Sequence, residues 1–359
     1  LTIVGTILAL VLVVACTAAF GSYGGVIVIA VMFGFVFSTY QRNKKIHQDL
    51  QLIKEKLGIQ SMDEFAMKNE DIEEELEVEF EVEAEVEVED NHSPLNTSEK
   101  PGYHLIFHDE FLFDELDRTK WLPFYLPQWS NREASQANYR IQDGQLILQI
   151  TDGQLPWCPE FNGQVKVSNL QTGVFSGPLD SAHGQHRFSN SCVVREEQAE
   201  ERLFTPQYGY FEIRAKGTDN PNNVFGFWMI GFEDVPHRSA EICPFELKGW
   251  NAKGSTSTIG FGLHRFGDPT IKEEFFEKEF EFDATQFHIY AVDWTPEGVD
   301  FYIDNVLVYQ SNQSPNYPMQ LMVNIYEIPA NESGSNQAPS YPSEFTIDYI
   351  RCYQKDETQ

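Results

Sequence analysis

Between residue 101 and the C-terminus the apolar pattern has a period of two. In GYFEIRAKG (209–217), Phe211, Ile213 and Ala215 fall on one face and Tyr210, Glu212, Arg214 and Lys216 on the other, as in a strand with one side toward a core. YRIQDGQLILQI (139–150) reads as two strands around Asp143-Gly144, and VDFYIDNVLVYQ (299–310) as two around Asp304-Asn305, the residue pairs that suit tight hairpins. FHIYAVDW (287–294) and PMQLMVNI (318–325) add further strands. Many short strands over about 250 residues predict an all-β fold, an antiparallel β-sandwich.

The first hundred residues follow different periods. Residues 1–40 carry no charge, and Gly21–Gly25 (GSYGG) breaks the run near its middle. One bilayer crossing takes roughly 20 apolar residues, so 1–40 is expected to form a transmembrane hairpin of two helices. No basic stretch precedes the apolar run, which argues against a cleaved signal peptide. Residues 41–69 carry Ile46, Leu50, Ile53 and Leu57 in the 4, 3, 4 spacing of an amphipathic juxtamembrane helix. Residues 70–100 form an acidic linker, in which Asp71–Asp90 holds 12 acidic residues in 20. Its alternation resembles a strand, but glutamates along one face repel each other, so a solvated, extended segment is expected. The domain proper is expected over 101–359.

Charge and cysteine content narrow the partners. The 25 basic and 55 acidic residues leave a net charge of −30. A nucleic-acid partner is therefore not expected, because a phosphate backbone calls for clustered Lys and Arg. Neutral substrates stay open. The five cysteines form no CxxC pair, which argues against a zinc site. Four of them, Cys158, Cys192, Cys243 and Cys352, lie in the folded part, and in a domain of this size they are expected to be buried free thiols.

The candidate chemistry lies in RSAEICPFELKG (238–249), where Glu241 and Glu246 flank Cys243 and Pro244. A retaining glycosidase needs two carboxyl groups about 5–5.5 Å apart in one cleft. Side chains five positions apart in a regular strand point to opposite faces. Glu241 and Glu246 therefore share a face only if one extra residue is inserted, as in a β-bulge. Proline inside a strand is confined largely to edges and bulges, so Pro244 marks where that residue would sit. Glu241, Cys243 and Glu246 would then face the cleft, with Ile242 and Phe245 behind.

EICPFE resembles the longer, bulged form of the signature of glycoside hydrolase family 16: Glu, aliphatic, Asp, aliphatic, an extra hydrophobic residue, Glu. Segments along the chain resemble the family in order. They run from IFHDEF (106–111), LDRTKW (116–121) and RIQDGQLIL (140–148), through YGYFEIRAKG (208–217) and FGFWMIGF (225–232), to the hairpin at 287–308 and the closing strands at 317–325 and 345–354. The resemblance, of the laminarinase and lichenase kind, implies a concanavalin A-like jelly roll with a concave substrate cleft. It also implies retaining hydrolysis of β-linked glucan or galactan polysaccharides, with Glu241 as nucleophile and Glu246 as general acid/base. Cys243 falls where the family has an Asp that tunes the nucleophile. A buried thiol is a weak, neutral donor, so the alternative is a carbohydrate-binding, lectin-like relative that has lost catalysis.

Further candidates follow. Sugars stack on aromatic rings, and Trp129, Trp157, Trp228 and Trp250 are candidates for substrate binding. Trp129 stands out because it lies in a polar loop, and the resemblance sets Trp228 and Trp250 beside the catalytic strand. His264 follows the motif by one strand, where relatives use a histidine to line the cleft. No cofactor is required. A structural calcium, which relatives hold largely through backbone oxygens, would fall at Glu110, Gly144 and Asp348. Asn331-Glu-Ser is an N-glycosylation pattern. Arg42, Lys44 and Lys45 at the apolar edge argue that the domain is cytoplasmic, whereas a polysaccharide substrate argues for an extracytoplasmic, membrane-anchored domain.

Overall fold

The alternating segments pair into two antiparallel sheets in a computed structural model that describes residues 96–329 and 337–356. Among the described residues the strands are β1 (Tyr103–Asp109), β2 (Asn138–Gln142), β3 (Gln145–Ile150), β4 (Lys166–Gln171), β5 (Gly173–Val174), β6 (Glu201–Arg202), β7 (Gly209–Lys216), β8 (Asn223–Gly231), β9 (Glu241–Ala252), β10 (Ser257–His264), β11 (Glu274–Phe280), β12 (His288–Trp294), β13 (Val299–Ile303), β14 (Val306–Ser311), β15 (Met319–Glu327) and β16 (Ser343–Lys355). One sheet runs β14-β13-β12-β7-β16-β3-β2, with β1 also on β16. The other runs β11-β10-β9-β8-β15-β4, and β5 pairs with β6 alone. The expected transmembrane hairpin, the juxtamembrane helix, most of the acidic linker and the Asn331 pattern lie outside the described residues. Among the described residues, no helix is long and apolar enough to cross a membrane.

Both hairpins follow their turn residues. Asp143 and Gly144 have φ of 54° and 68°, and Asp304 and Asn305 have 46° and 65°. Consecutive positive φ values match the right-handed twist of the flanking strands. Residues 96–100, read above as the end of the linker, are tied to the domain. Asn96 donates to Glu212 at 2.9 Å, and Lys100 Nζ sits 3.4 Å from the centre of the Tyr210 ring.

The core between the sheets takes the faces that the alternation predicts. Phe211, Ile213 and Ala215 of β7 meet Phe225, Phe227 and Met229 of β8, together with Ile242, Phe245 and Leu247 of β9. The outer face of the second sheet is partly covered as well. There Trp129, Trp157, Cys158, Cys192 and Val194 pack over Trp228, Ile230, Cys243 and Met322. This explains why all nine residues of β8 are buried. Cys158, Cys192, Cys243 and Cys352 are buried free thiols.

Ile242 and Phe245 both reach the core although they are three apart, and the register shows how. On β8, Phe227 pairs with Phe245 and Met229 with Ile242, so two steps on β8 match three on β9. The other neighbour agrees: Gly260 pairs with Glu246 and Gly262 with Cys243. The extra residue lies in the Cys243–Pro244 step. Deleting Pro244 should remove the bulge and leave Glu241 and Glu246 four apart, so strict alternation keeps Ile242, Phe245 and Leu247 on the core face and both carboxyl groups on the other. The deletion should therefore retain a cooperative thermal transition, as should Pro244→Ala, which keeps the residue count. If the extra residue lay elsewhere, the deletion would bury an unpaired carboxyl, at several kcal/mol, or expose Phe245, at about 1.5–3 kcal/mol. A deletion variant without a cooperative transition would refute this register argument.

Candidate active site

The bulge brings Glu241, Cys243 and Glu246 to one wall of a cavity of about 190 Å³ on the outer face of the second sheet, also lined by Trp228, His264 and Tyr326. Glu246 stands between two glycines, since both of its cross-strand neighbours, Gly226 and Gly260, lack side chains. A Cβ on Gly260 would lie 2.7 Å from the Phe275 ring and 3.2 Å from the Glu246 Cβ. These glycines leave the space above the carboxyl groups open. Sequence reasoning missed them, although glycine inside an alternating strand was a readable signal.

Electrostatics keep protons on this wall. Burial, then the charges of Glu246 and Glu273, push the Glu241 carboxyl well above its usual range. No protein donor reaches that carboxyl among the described residues. Burial also raises Glu246, and Glu277 adds to the shift, while Lys248 and His264 pull the other way. Lys248 Nζ lies 3.7 Å from Glu246 and bridges to Glu277. Cys243 is 2% exposed, and burial followed by the two glutamates holds its thiol well above the usual range, so it stays neutral. The two carboxyls repel each other, and together they titrate as a pair that readily keeps one proton.

The other expected site residues divide. Trp228 lines the cavity, and its indole N–H donates to Asn324 Oδ1. His264 lies opposite Glu241 in the register. Its ring stacks on Phe275 at 4.3 Å, and Nδ1 lies 2.5 Å from Glu273. Trp129 is not at the cavity. It is fully buried, and its indole N–H donates to the Gln185 carbonyl at 2.9 Å. The polar loop that carries it is covered by residues some 55 positions later, so it serves packing. Trp157 is buried likewise, with its N–H on Asn162. Trp250 lines a different cavity with Asn220 and Ser343.

Of the calcium candidates, Glu110 follows the end of β1, Gly144 lies in the turn between β2 and β3, and Asp348 lies on β16. Asp348 lies on β16 between Ile347, whose partner on β3 is Leu146, and Ile350, whose partner on β1 is Asp109. The carboxyl groups are already engaged. Glu110 accepts from two nitrogens of Arg351 at 2.7 and 2.8 Å, and Asp348 from Arg214 at 2.9 Å. Calcium wants six to eight oxygens, and guanidinium groups beside both side chains do not suit it. These two side chains do not fit the ion in this arrangement.

Two further residues matter that the sequence pattern did not single out. His186 lines the cavity, with its ring 5.1 Å from Trp228. Burial, with a smaller contribution from His264, lowers its pKa to about 4, so the imidazole is neutral. Glu233 accepts the His186 backbone N–H at 2.5 Å. Burial raises its pKa to about 8, which that hydrogen bond only partly offsets.

Comparison with known proteins agrees with this arrangement. Residues 199–351 match the model of Glycosyl hydrolases family 16. The structure of a GlcNAcα1-4Gal releasing endo-β-galactosidase from Clostridium perfringens is 34% identical, with a TM-score of 0.65, covering 74% of this chain and 65% of that one. The endo-1,3-1,4-beta-glycanase ExsH of Rhizobium meliloti is 26% identical over 155 residues, 43% of this chain and 32% of that protein. The glucan endo-1,3-beta-glucosidase A1 of Niallia circulans is 23% identical over 287 residues, 71% of this chain and 38% of that protein. The chain thus spans about a third of the length of the curated relatives it matches.

A testable consequence concerns stability. Glu233 has a folded pKa of about 8 against an ordinary 4.5. Below pH 4.5 both folded and unfolded chains hold the proton, and the contribution is full. Between 4.5 and about 8 the unfolded chain releases it first, so stability falls as pH rises, by at most about 1.4 kcal/mol per pH unit for this group. Glu241 and Glu246 act in the same direction, whereas a depressed carboxyl such as Asp268 acts only at lower pH. Denaturant melts from pH 4.5 to 8 should show declining stability, and Glu233→Gln should flatten the slope. An unchanged slope in that variant would count against a protonated Glu233.

Proposed function

We propose that this chain, which carries a family 16 glycosyl hydrolase domain, is a retaining endo-glycosidase. It cleaves β-linked galactose- or glucose-containing polysaccharides, with Glu241 as nucleophile and Glu246 as general acid/base. The observation that carries the reading is the bulge that puts both carboxyls on one open wall. The endo-β-galactosidase similarity, at 34% identity, favours a β-galactoside first, and the glucanases among the relatives keep β-glucan second.

The protonation states suit the two steps. With one proton on Glu246, the smaller, repulsive part of what raises Glu241 is relieved, which favours Glu241 in the ionised form that attack requires. Its carboxylate attacks the anomeric carbon while the glycosidic C–O bond breaks, and Glu246 gives its proton to the departing oxygen. Glu246, now a carboxylate, takes a proton from water as the water oxygen attacks the anomeric carbon and frees Glu241. Trp228 supplies an apolar wall, and neutral His186 adds no charge to compete for the proton. Cys243 is neutral, so it does not repel the Glu241 carboxylate.

A second reading, sugar binding without cleavage, is favoured by one observation, the buried neutral thiol in place of the family Asp. Outside the domain, the apolar 1–40 segment supports membrane anchoring, and the polysaccharide substrate favours an extracytoplasmic domain, against the basic Arg42, Lys44 and Lys45.

Purified protein should cleave at least one member of a panel of β-galactans, β-1,3-glucans and mixed-linkage glucans. Glu241→Gln should lower the rate by about 10⁴-fold or more, and Cys243→Ala by less than about tenfold. With azide and an activated aryl glycoside, Glu246→Ala should yield the β-glycosyl azide and Glu241→Ala the α-glycosyl azide. Saturable binding with no turnover across the panel would select the second reading, and swapped azide products would reverse the two roles.

A further inference from the structure

The segment 182–187 closes a second cavity next to the first. Trp129 fills the space over Gly184, where a Cβ would come within 2.9 Å of the indole. The Gln185 side chain donates to the Phe232 carbonyl at 3.0 Å and to Gln320 Oε1 at 2.7 Å. Beyond it, His186 and Glu233 both adopt left-handed φ, 48° and 57°, a conformation that costs non-glycine residues about 1–3 kcal/mol each. Contacts between the two segments hold it. The His186 N–H donates to the Glu233 carboxyl, and His183 Nε2 lies 3.2 Å from the Glu233 carbonyl oxygen.

The result is a cavity of about 710 Å³ lined by His183, His186, Asn190, Glu233, Ser239 and Phe266. His186 and Phe266 also line the cavity of the catalytic carboxyls, so the two spaces share these rings as walls. Glu233 is 5% exposed. One of its carboxyl oxygens takes the His186 N–H, and the other has no partner among the described residues. Ser239 Oγ accepts the Gly267 N–H at 3.0 Å, which leaves its own hydrogen to give. The guanidinium of Arg187, at the same cavity, gives its Nε and one Nη hydrogen to the Cys192 and Asn190 carbonyls and keeps its charge. Phe266 is 44% exposed. An open ring beside several hydrogen-bond donors and acceptors suits a sugar, with its C–H face on the ring and its hydroxyls on the polar groups.

We propose that this cavity seats a second, uncharged glycosyl unit of the same chain, with Phe266 as its platform and Glu233 as both its hydroxyl partner and the anchor of His186. The inference rests on reading Glu241 and Glu246 as the cleavage site, and it makes the enzyme selective for chain length. The test uses the full chain carrying Glu241→Gln, titrated calorimetrically with di- to hexasaccharides of β-linked galactose and of β-linked glucose. Affinity should rise about tenfold at one chain length. That step should vanish when Phe266→Ala or Glu233→Ala is added. It should survive Glu233→Gln, whose amide offers the same acceptor and a donor. Thermal melts confirm folding of each variant, and the exposed Phe266 position serves if Glu233→Ala does not fold. A step unchanged by Phe266→Ala and Glu233→Ala, or no step, overturns the cavity's role while turnover by the parent protein leaves the cleavage reading intact. Absence of both turnover and binding overturns the two together.

Discussion

One inserted residue in β9 sets the geometry on which the site depends. The apolar side chains of Ile242, Phe245 and Leu247 fill the core, and they can do so only if the strand changes phase between 242 and 245. Both neighbouring strands record the same phase change, β8 between Phe227 and Met229 and β10 between Gly260 and Gly262. The core thus holds the bulge in place through several large buried side chains, each worth roughly 1.5–3 kcal/mol. The two glutamates take their common direction from that packing. A proline at the step costs the sheet little, because a bulged residue has no ladder hydrogen bond to lose.

Burial has a second effect at the same place. The wall that carries Glu241 and Glu246 lies over an apolar cluster containing Cys243, Trp228, Ile230 and Met322, and it is this desolvation, more than any charge, that raises both carboxyls. The position between them then decides how many charges must share the site. An Asp would make a third carboxyl competing for protons. A thiol held neutral leaves a two-carboxyl problem, with Lys248 and His264 acting on Glu246 alone.

The features that were legible in the sequence are those governed by neighbours along the chain. Alternation identified the core faces of β7 and β9, Asp143-Gly144 and Asp304-Asn305 marked their hairpins, and the parity of Glu241 and Glu246 with Pro244 between them called for a bulge. Long-range covering was not legible. Trp129 sits among polar residues and reads as a surface aromatic, yet Gly184 and Gln185 close over it. His186 and Glu233 lie in segments without period, and their importance comes from meeting each other 47 residues apart. No local pattern encodes such a meeting. Gly226 and Gly260 are intermediate cases, readable as interior glycines but meaningful only once both are seen beside Glu246.

These two kinds of residue divide the work of the site. The strands supply the two carboxyls proposed to react, whose placement follows from core packing. The segment around 182–192 is held on that sheet by Trp129, Gln185 and Glu233, and it brings rings, neutral polar groups and the Arg187 guanidinium to the two cavities. In a domain whose residues 101–359 carry 19 of the chain's 30 net negative charges, an anionic polymer would meet repulsion on approach. Burial leaves the cleft's own acidic groups inclined to keep their protons. Under the proposed reading both facts point the same way: selection among substrates would come from shape, stacking and hydroxyl contacts, and it would fall to the loop-borne residues, because the direction of the carboxyl wall is fixed by the core side chains behind it.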